Sequence, residues 1–96
     1  MEDGFELVRR ADGVRYRFEH DGERNGRPRY RRVDEAVDCC WVPPTGWCTV
    51  DRDGVENGWP LVPDVASRPV AGAWRSAKAG RSYLYDLVPD EPTAAS

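Results

Sequence analysis

Isoleucine is absent from this 96-residue chain, and histidine, lysine and methionine occur once each. The scarcity of histidine weakens a zinc reading. His20 and the three cysteines Cys39, Cys40 and Cys48 contain no Cys-x-x-Cys, and neighbouring residues on a strand point to opposite faces. An odd cysteine count without secretory features points to free thiols, so neither a metal nor a cofactor is expected. No apolar run approaches the ~20 residues of a membrane-spanning helix. The opening Met1-Glu2-Asp3-Gly4 lacks the basic-then-apolar order of a secretory leader. A cytoplasmic location without membrane attachment is the default expectation. Eight prolines and nine glycines divide the chain into short segments and exclude long helices.

What the chain does have is large aromatics. Four Trp, four Tyr and two Phe supply enough apolar area for one domain of this length to build a core unaided. The formal net charge is −3, unevenly placed. Residues 1–32 hold nine Arg against seven acids, and residues 33–64 hold one Arg against seven acids. A basic first hairpin facing an acidic middle follows from that distribution.

Short alternating segments separated by turn signals describe a β protein. Phe5 to Arg9 reads as a first strand, closed by Asp12-Gly13. Val14, Tyr16 and Phe18 alternate with Arg15, Arg17 and Glu19, the period of a half-buried strand. A loop from His20 to Arg27 contains Asn25-Gly26, a pair suited to the positive φ of a tight hairpin. Pro28 to Val33 returns as the partner strand. Val33 to Val42 fits either a short helix or a strand, and the β-branched residues favour the strand. Turning through Pro43 to Gly46 would set Trp41 opposite Cys48 and Cys39 opposite Val50. Val37, Cys39, Trp41, Cys48 and Val50 would then form a core face, with Cys40, Val42, Trp47 and Thr49 on the other. Residues 63–72 read as an irregular crossing. Ala73 to Ser76 and Ser82 to Val88 flank Lys78-Ala79-Gly80 as a final hairpin. The expected architecture is all-β, an antiparallel sheet, sandwich or partial barrel of about six or seven strands. It spans 1–88, with 89–96 as a frayed tail.

The same landmarks resemble a short tryptophan-rich module found in proteins of microbial eukaryotes. The matching residues are Tyr16, the run Asn25-Gly26-Arg27-Pro28-Arg29-Tyr30, Trp41 with Trp47, and Pro69 leading to Gly72-Ala73-Trp74. They cover about residues 14–80. Ala73 interrupts the module's closing Gly-Trp pair, and Arg81 to Val88 is an addition to it. The resemblance implies a small β fold used for interaction or structure, and it carries no activity.

Five arginines crowd the first hairpin: Arg24, Arg27, Arg29, Arg31 and Arg32. On a strand, Arg29 and Arg31 would face solvent and pair with the acidic middle, each pair contributing about 0.2–1 kcal/mol. Alternatively Arg27, Arg29 and Arg31, with Arg15 and Arg17, form a patch for phosphate or an acidic protein. The acidic balance of the rest disfavours nucleic acid. Trp41 and Trp74 are expected in the core. Trp47 and Trp59 lie beside turns, where one of them would be exposed for contact. The leading expectation is a non-enzymatic interaction or structural module that binds another protein through Arg27, Arg29, Arg31, Trp47, Trp59 and Tyr85. Self-association would run through an open edge at Ser82–Val88. Two alternatives follow: a sugar- or nucleotide-binding module using exposed Trp and Arg, and a small enzyme using Cys40 or Cys48 with His20. Asp34, Glu35 and Asp38, like Asp51, Asp53 and Glu56, lack the ligand spacing of a calcium loop.

Overall fold

In the computed structural model, which describes residues 4–62, 69 and 71–90, the first and last strands meet. Eight antiparallel strands run in chain order around a closed barrel. They are β1 (Gly4–Arg9), β2 (Arg15–Arg24), β3 (Arg27–Arg32), β4 (Asp38–Val42), β5 (Gly46–Val50), β6 (Glu56–Pro60), β7 (Gly72–Lys78) and β8 (Arg81–Pro89). No described residue lies in a helix, so the all-β expectation holds with slightly more strands. None of the described elements is a helix long and apolar enough to cross a membrane.

Closure comes from β1 against β8, with Leu7 opposite Leu87 and Arg9 opposite Tyr85. The expected open edge at Ser82–Val88 is therefore corrected, since β8 is hydrogen-bonded to β7 on one side and β1 on the other. Residues 89 and 90 of the expected tail are held on the barrel. Pro89 ends β8, the Asp90 amide donates to the Gly4 carbonyl at 3.0 Å, and Arg17 grips the Asp90 carboxylate at 2.6 and 2.8 Å. Residues 91–96, and 63–68 and 70 of the expected crossing, lie outside the described residues.

The β2–β3 turn behaves as its residues demand. Asn25 and Gly26 both take positive φ, 54° and 80°, the hand that matches strand twist. The loop before it is shorter than expected, because β2 continues to Arg24 with a register shift between His20 and Glu23. The ambiguous stretch becomes a strand only from Asp38. At the β4–β5 turn the expected register is wrong by one residue. Gly46, with φ of 101°, belongs to β5 and pairs with Val42, so only Pro43, Pro44 and Thr45 form the loop. Trp41 thus faces Trp47, Cys40 faces Cys48 and Cys39 faces Thr49. Losing one residue from the loop exchanges the two faces of the following strand.

Alternation then sorts the side chains. Phe5, Leu7, Phe18, Tyr30, Cys39, Trp47, Trp74 and Leu87 form the buried interior cluster. Phe5 stacks on Phe18 with centroids 5.1 Å apart, and Tyr30 meets Phe5 edge-on at 5.1 Å. Trp41 meets Trp47 edge-on at 5.8 Å. A second, smaller cluster lies on the outer side of β4 and β5, where Cys40, Cys48 and Val50 pack with Val42 and Trp59. Elsewhere the outside carries ion pairs such as Arg15–Glu6 at 2.7 Å and Arg10–Asp86 at 2.7 Å.

Candidate functional site

The interior cluster fills one end of the barrel and stops. At the other end, where the β1–β2, β3–β4, β5–β6 and β7–β8 connections lie, the strands enclose a cavity of about 620 Å³. Leu7, Phe18 and Trp74 are its apolar floor. An eight-stranded barrel has room inside for packed side chains or one small ligand, and here side chains fill one half and leave the other as a cavity.

Inward positions that hold apolar residues at the packed end hold polar ones here. The series Phe5, Leu7 on β1 continues to Arg9, and Tyr30 on β3 is followed inward by Arg32. Arg9 lies 4.8 Å from the ring centroid of Tyr83 and 5.7 Å from that of Tyr16, while Arg32 sits over Tyr16 at 4.6 Å. Tyr16 and Tyr85 approach to 6.1 Å. Each guanidinium is also held from the rim. Arg9 contacts Asp12 through Nε and Nη2 at 3.0 and 2.8 Å. Arg32 contacts Asp34 at 2.6 Å and Glu35 at 2.8 Å. Hydrogen bonding to Asp12 raises the Arg9 pKa above its ordinary value, and Arg9 in turn holds the Asp12 carboxyl below the usual range. Burial opposes the Arg32 charge, but Asp34, Glu35 and Tyr16 outweigh it and raise its pKa.

The opposite wall is built from β5, β6 and β7. The Thr49 hydroxyl donates to Asn57 Oδ1 at 2.7 Å, and Ser76 stands beside them, paired with Gly58. Gly58 has no side chain for a direct reason: a Cβ there would collide with the Thr49 hydroxyl. At the lip, Lys78 and Arg81 face each other across the β7–β8 turn. Both are exposed and have no carboxylate partner among the described residues.

Of the residues expected to bind, only Tyr85 enters this cavity, and it does so as a half-buried interior residue. Trp47 is 1% exposed, inside the packed end. Trp59 is half-buried on the outer side, with Arg75 5.8 Å from its ring and its Nε1 donating to Glu56 at 3.3 Å. Arg27 lies 4.0 Å over the Trp41 ring. Arg29 binds Asp21 at 3.3 Å, and Arg31 binds Asp38 at 2.9 Å. Arg29 and Arg31 share the Asp21 carboxylate, Arg31 at 3.8 Å, while Arg27 lies apart on Trp41, and Arg31–Asp38 is the one expected pairing with the acidic middle. Arg9, Arg32, Tyr16, Tyr83 and the Thr49–Asn57–Ser76 wall were missed. For Arg9, Arg32, Tyr16 and Tyr83 the signal was available in the inward parity of their strands, whereas Thr49 was hidden by the β4–β5 register and Asn57 by the register shift between β5 and β6.

The cysteines do not converge. Cys39 faces inward, while Cys40 and Cys48 face outward, and all three are buried. Burial raises all three thiol pKa values, that of Cys48 to about 12 with Glu56 and Cys40 adding to it. Arg24 Nη1 reaches Cys40 Sγ at 3.7 Å. His20 is exposed and packs edge-on against Tyr30 at 5.8 Å. A nucleophilic thiolate needs a lowered pKa and access, and these sites offer the reverse. No three metal-ligating side chains cluster among the described residues. The chain matches no family model, no curated protein and no solved structure.

Proposed function

We propose that this chain is a small-ligand-binding barrel whose open end receives the ligand. The observation that carries this reading is the unfilled half of the interior. Its volume of about 620 Å³ falls within the roughly 300–1,000 Å³ of ligand pockets, which favour the mouths of β-barrels. An apolar floor, stacked rings and a few convergent polar groups have the composition of such a site. The reading as a protein-interaction module has narrower support, because the edge it relied on is closed. What remains for it are exposed apolar residues such as Leu84 and Val88 on β8 and Leu61 and Val62 after β6.

The test is amide and side-chain NMR of the chain with a mixture of small aromatic, aliphatic and sugar-like fragments. Shifts should concentrate on Tyr16, Ser76, Tyr83 and Trp74, and Ser76→Phe should abolish them by filling the cavity. Shifts that avoid these residues, or that survive Ser76→Phe in a folded protein, would overturn the reading.

A further inference from the structure

The two walls of the cavity differ in chemistry, and the difference specifies a class of ligand. We infer, resting on the ligand-binding reading, that the mouth takes a planar nitrogen heterocycle carrying an acidic group, of mononucleotide size.

The aromatic wall suits a flat conjugated ring. Tyr16, Tyr83 and Tyr85 present faces and edges, and Arg9 and Arg32 lie against them as planar cations. Stacking between rings and guanidinium planes is tolerant of which heterocycle enters. The facing wall presents hydroxyl and amide groups on Thr49, Asn57 and Ser76. Asn57 spends its carbonyl oxygen on the Thr49 hydroxyl, which aligns its NH2 group as a donor for a ring edge. The bare backbone at Gly58 is what lets the Thr49 hydroxyl pack against it. An alkyl chain would desolvate this wall without replacing its hydrogen bonds, a cost that disfavours fatty acids.

Charge selects the acidic group. Asp12, Asp34 and Glu35 more than offset the two inner guanidiniums, whereas Lys78 and Arg81 at the lip have no carboxylate at ion-pair distance among the described residues, Lys78 bordering a recess with Glu35, Asp51 and Asp53. These two side chains flank one turn, within reach of a group protruding from the cavity. A neutral sugar would leave that charge unused, whereas a phosphate or carboxylate tail would meet it.

The experiment is calorimetric titration with AMP, GMP, UMP and riboflavin 5′-phosphate, each beside its dephosphorylated form, with dodecanoate as the aliphatic anion. At least one phosphorylated heterocycle should bind about tenfold or more tightly than its dephosphorylated form. Lys78→Glu/Arg81→Glu should erase that preference, weakening the phosphorylated form at least about tenfold more than its dephosphorylated form. These residues are exposed on a hairpin turn, so the variant should fold, and its circular dichroism confirms it. If no acid exceeds its neutral form, or if dodecanoate alone occupies the cavity, this inference is overturned while the ligand-binding reading stands. If the fragment mixture also leaves the cavity resonances unmoved, both fall.

Discussion

The two ends of the barrel are built on the same strands and differ in what the inward positions carry. At the packed end Phe5, Phe18, Tyr30 and Trp47 close on one another with at most 2% exposure each. At the mouth the corresponding rungs carry Arg9, Tyr16, Arg32 and Tyr83, and a void remains between them. Their hairpin turns differ in the same sense. Asn25-Gly26 at the packed end and Ala79-Gly80 at the mouth both adopt positive φ at two successive residues, but alanine takes that conformation at a cost asparagine largely avoids. One end is arranged for stability and the other tolerates unfavourable choices. Such a division is expected where a site is held open by a scaffold that carries the stability elsewhere.

The largest break in this contrast should come from Trp47→Ala. It removes a fully enclosed ring and should cost about 3–5 kcal/mol, read as a lower urea midpoint. Tyr83→Ala, at the half-exposed mouth, should cost far less in the same assay while impairing ligand binding. A mouth substitution that destabilises as much as Trp47→Ala would show that the two ends are not separate.

High pH should strain the packed end next, through its outer layer. The Cys48 thiol is held neutral up to about pH 12, whereas in the unfolded chain it ionises near 8.5. Its folded pKa is raised, so the associated stability is intact below about 8.5 and is lost as pH rises toward 12. The loss from this thiol should reach roughly 1–2 kcal/mol by pH 10, and Cys48→Ala should make that limb of the stability curve shallower, with Cys39 and Cys40 carrying the rest.

Thr49→Val addresses the boundary between the ends. It leaves Asn57 Oδ1 without its donor, at about 1 kcal/mol, seen in chemical denaturation. Ala79→Asn should act in the opposite direction, stabilising by about 0.5 kcal/mol through relief of the positive φ. An unchanged or lower midpoint would remove the turn from the comparison.

The smallest effect belongs to acid. Arg9, Arg32, Arg10 and Arg17 hold Asp12, Asp34, Asp86 and Asp90 below the ordinary carboxylate range. Their stabilisation is therefore present above the unfolded pKa near 3.9 and is lost as pH falls through the lowered folded values. Asp12→Asn/Asp34→Asn should make the thermal midpoint slightly less sensitive to pH in that window.

Much of the fold could be read from local alternation. Tyr16 with Phe18, Asn25-Gly26 and the hairpin around Ala79-Gly80 sit where the period and turn chemistry place them. The closure of β1 on β8 could not, because no local pattern reports a pairing between Leu7 and Leu87 across the whole chain. The β4–β5 register failed on a single residue, Gly46, which serves either a loop or a strand. The candidate site was overlooked for a different reason. Arg9 was given no face and Arg32 was counted only in the charge cluster of the first hairpin, although the parity of Leu7 and Tyr30 carries them inward. A strand whose inward series changes from apolar to Arg and Tyr is a signal in its own right.

The meeting of Gly4 with Asp90 has a consequence for how the molecule could be handled. Both points leave the barrel at the packed end, on the far side from the cavity. A short glycine-rich bridge between them, with a new opening cut at Gly13, would yield a permuted chain that keeps every strand neighbour. That cut sets the new ends beside the mouth, whereas reporter groups or surface tethers attached where residues 4 and 90 emerge would leave the entrance unobstructed.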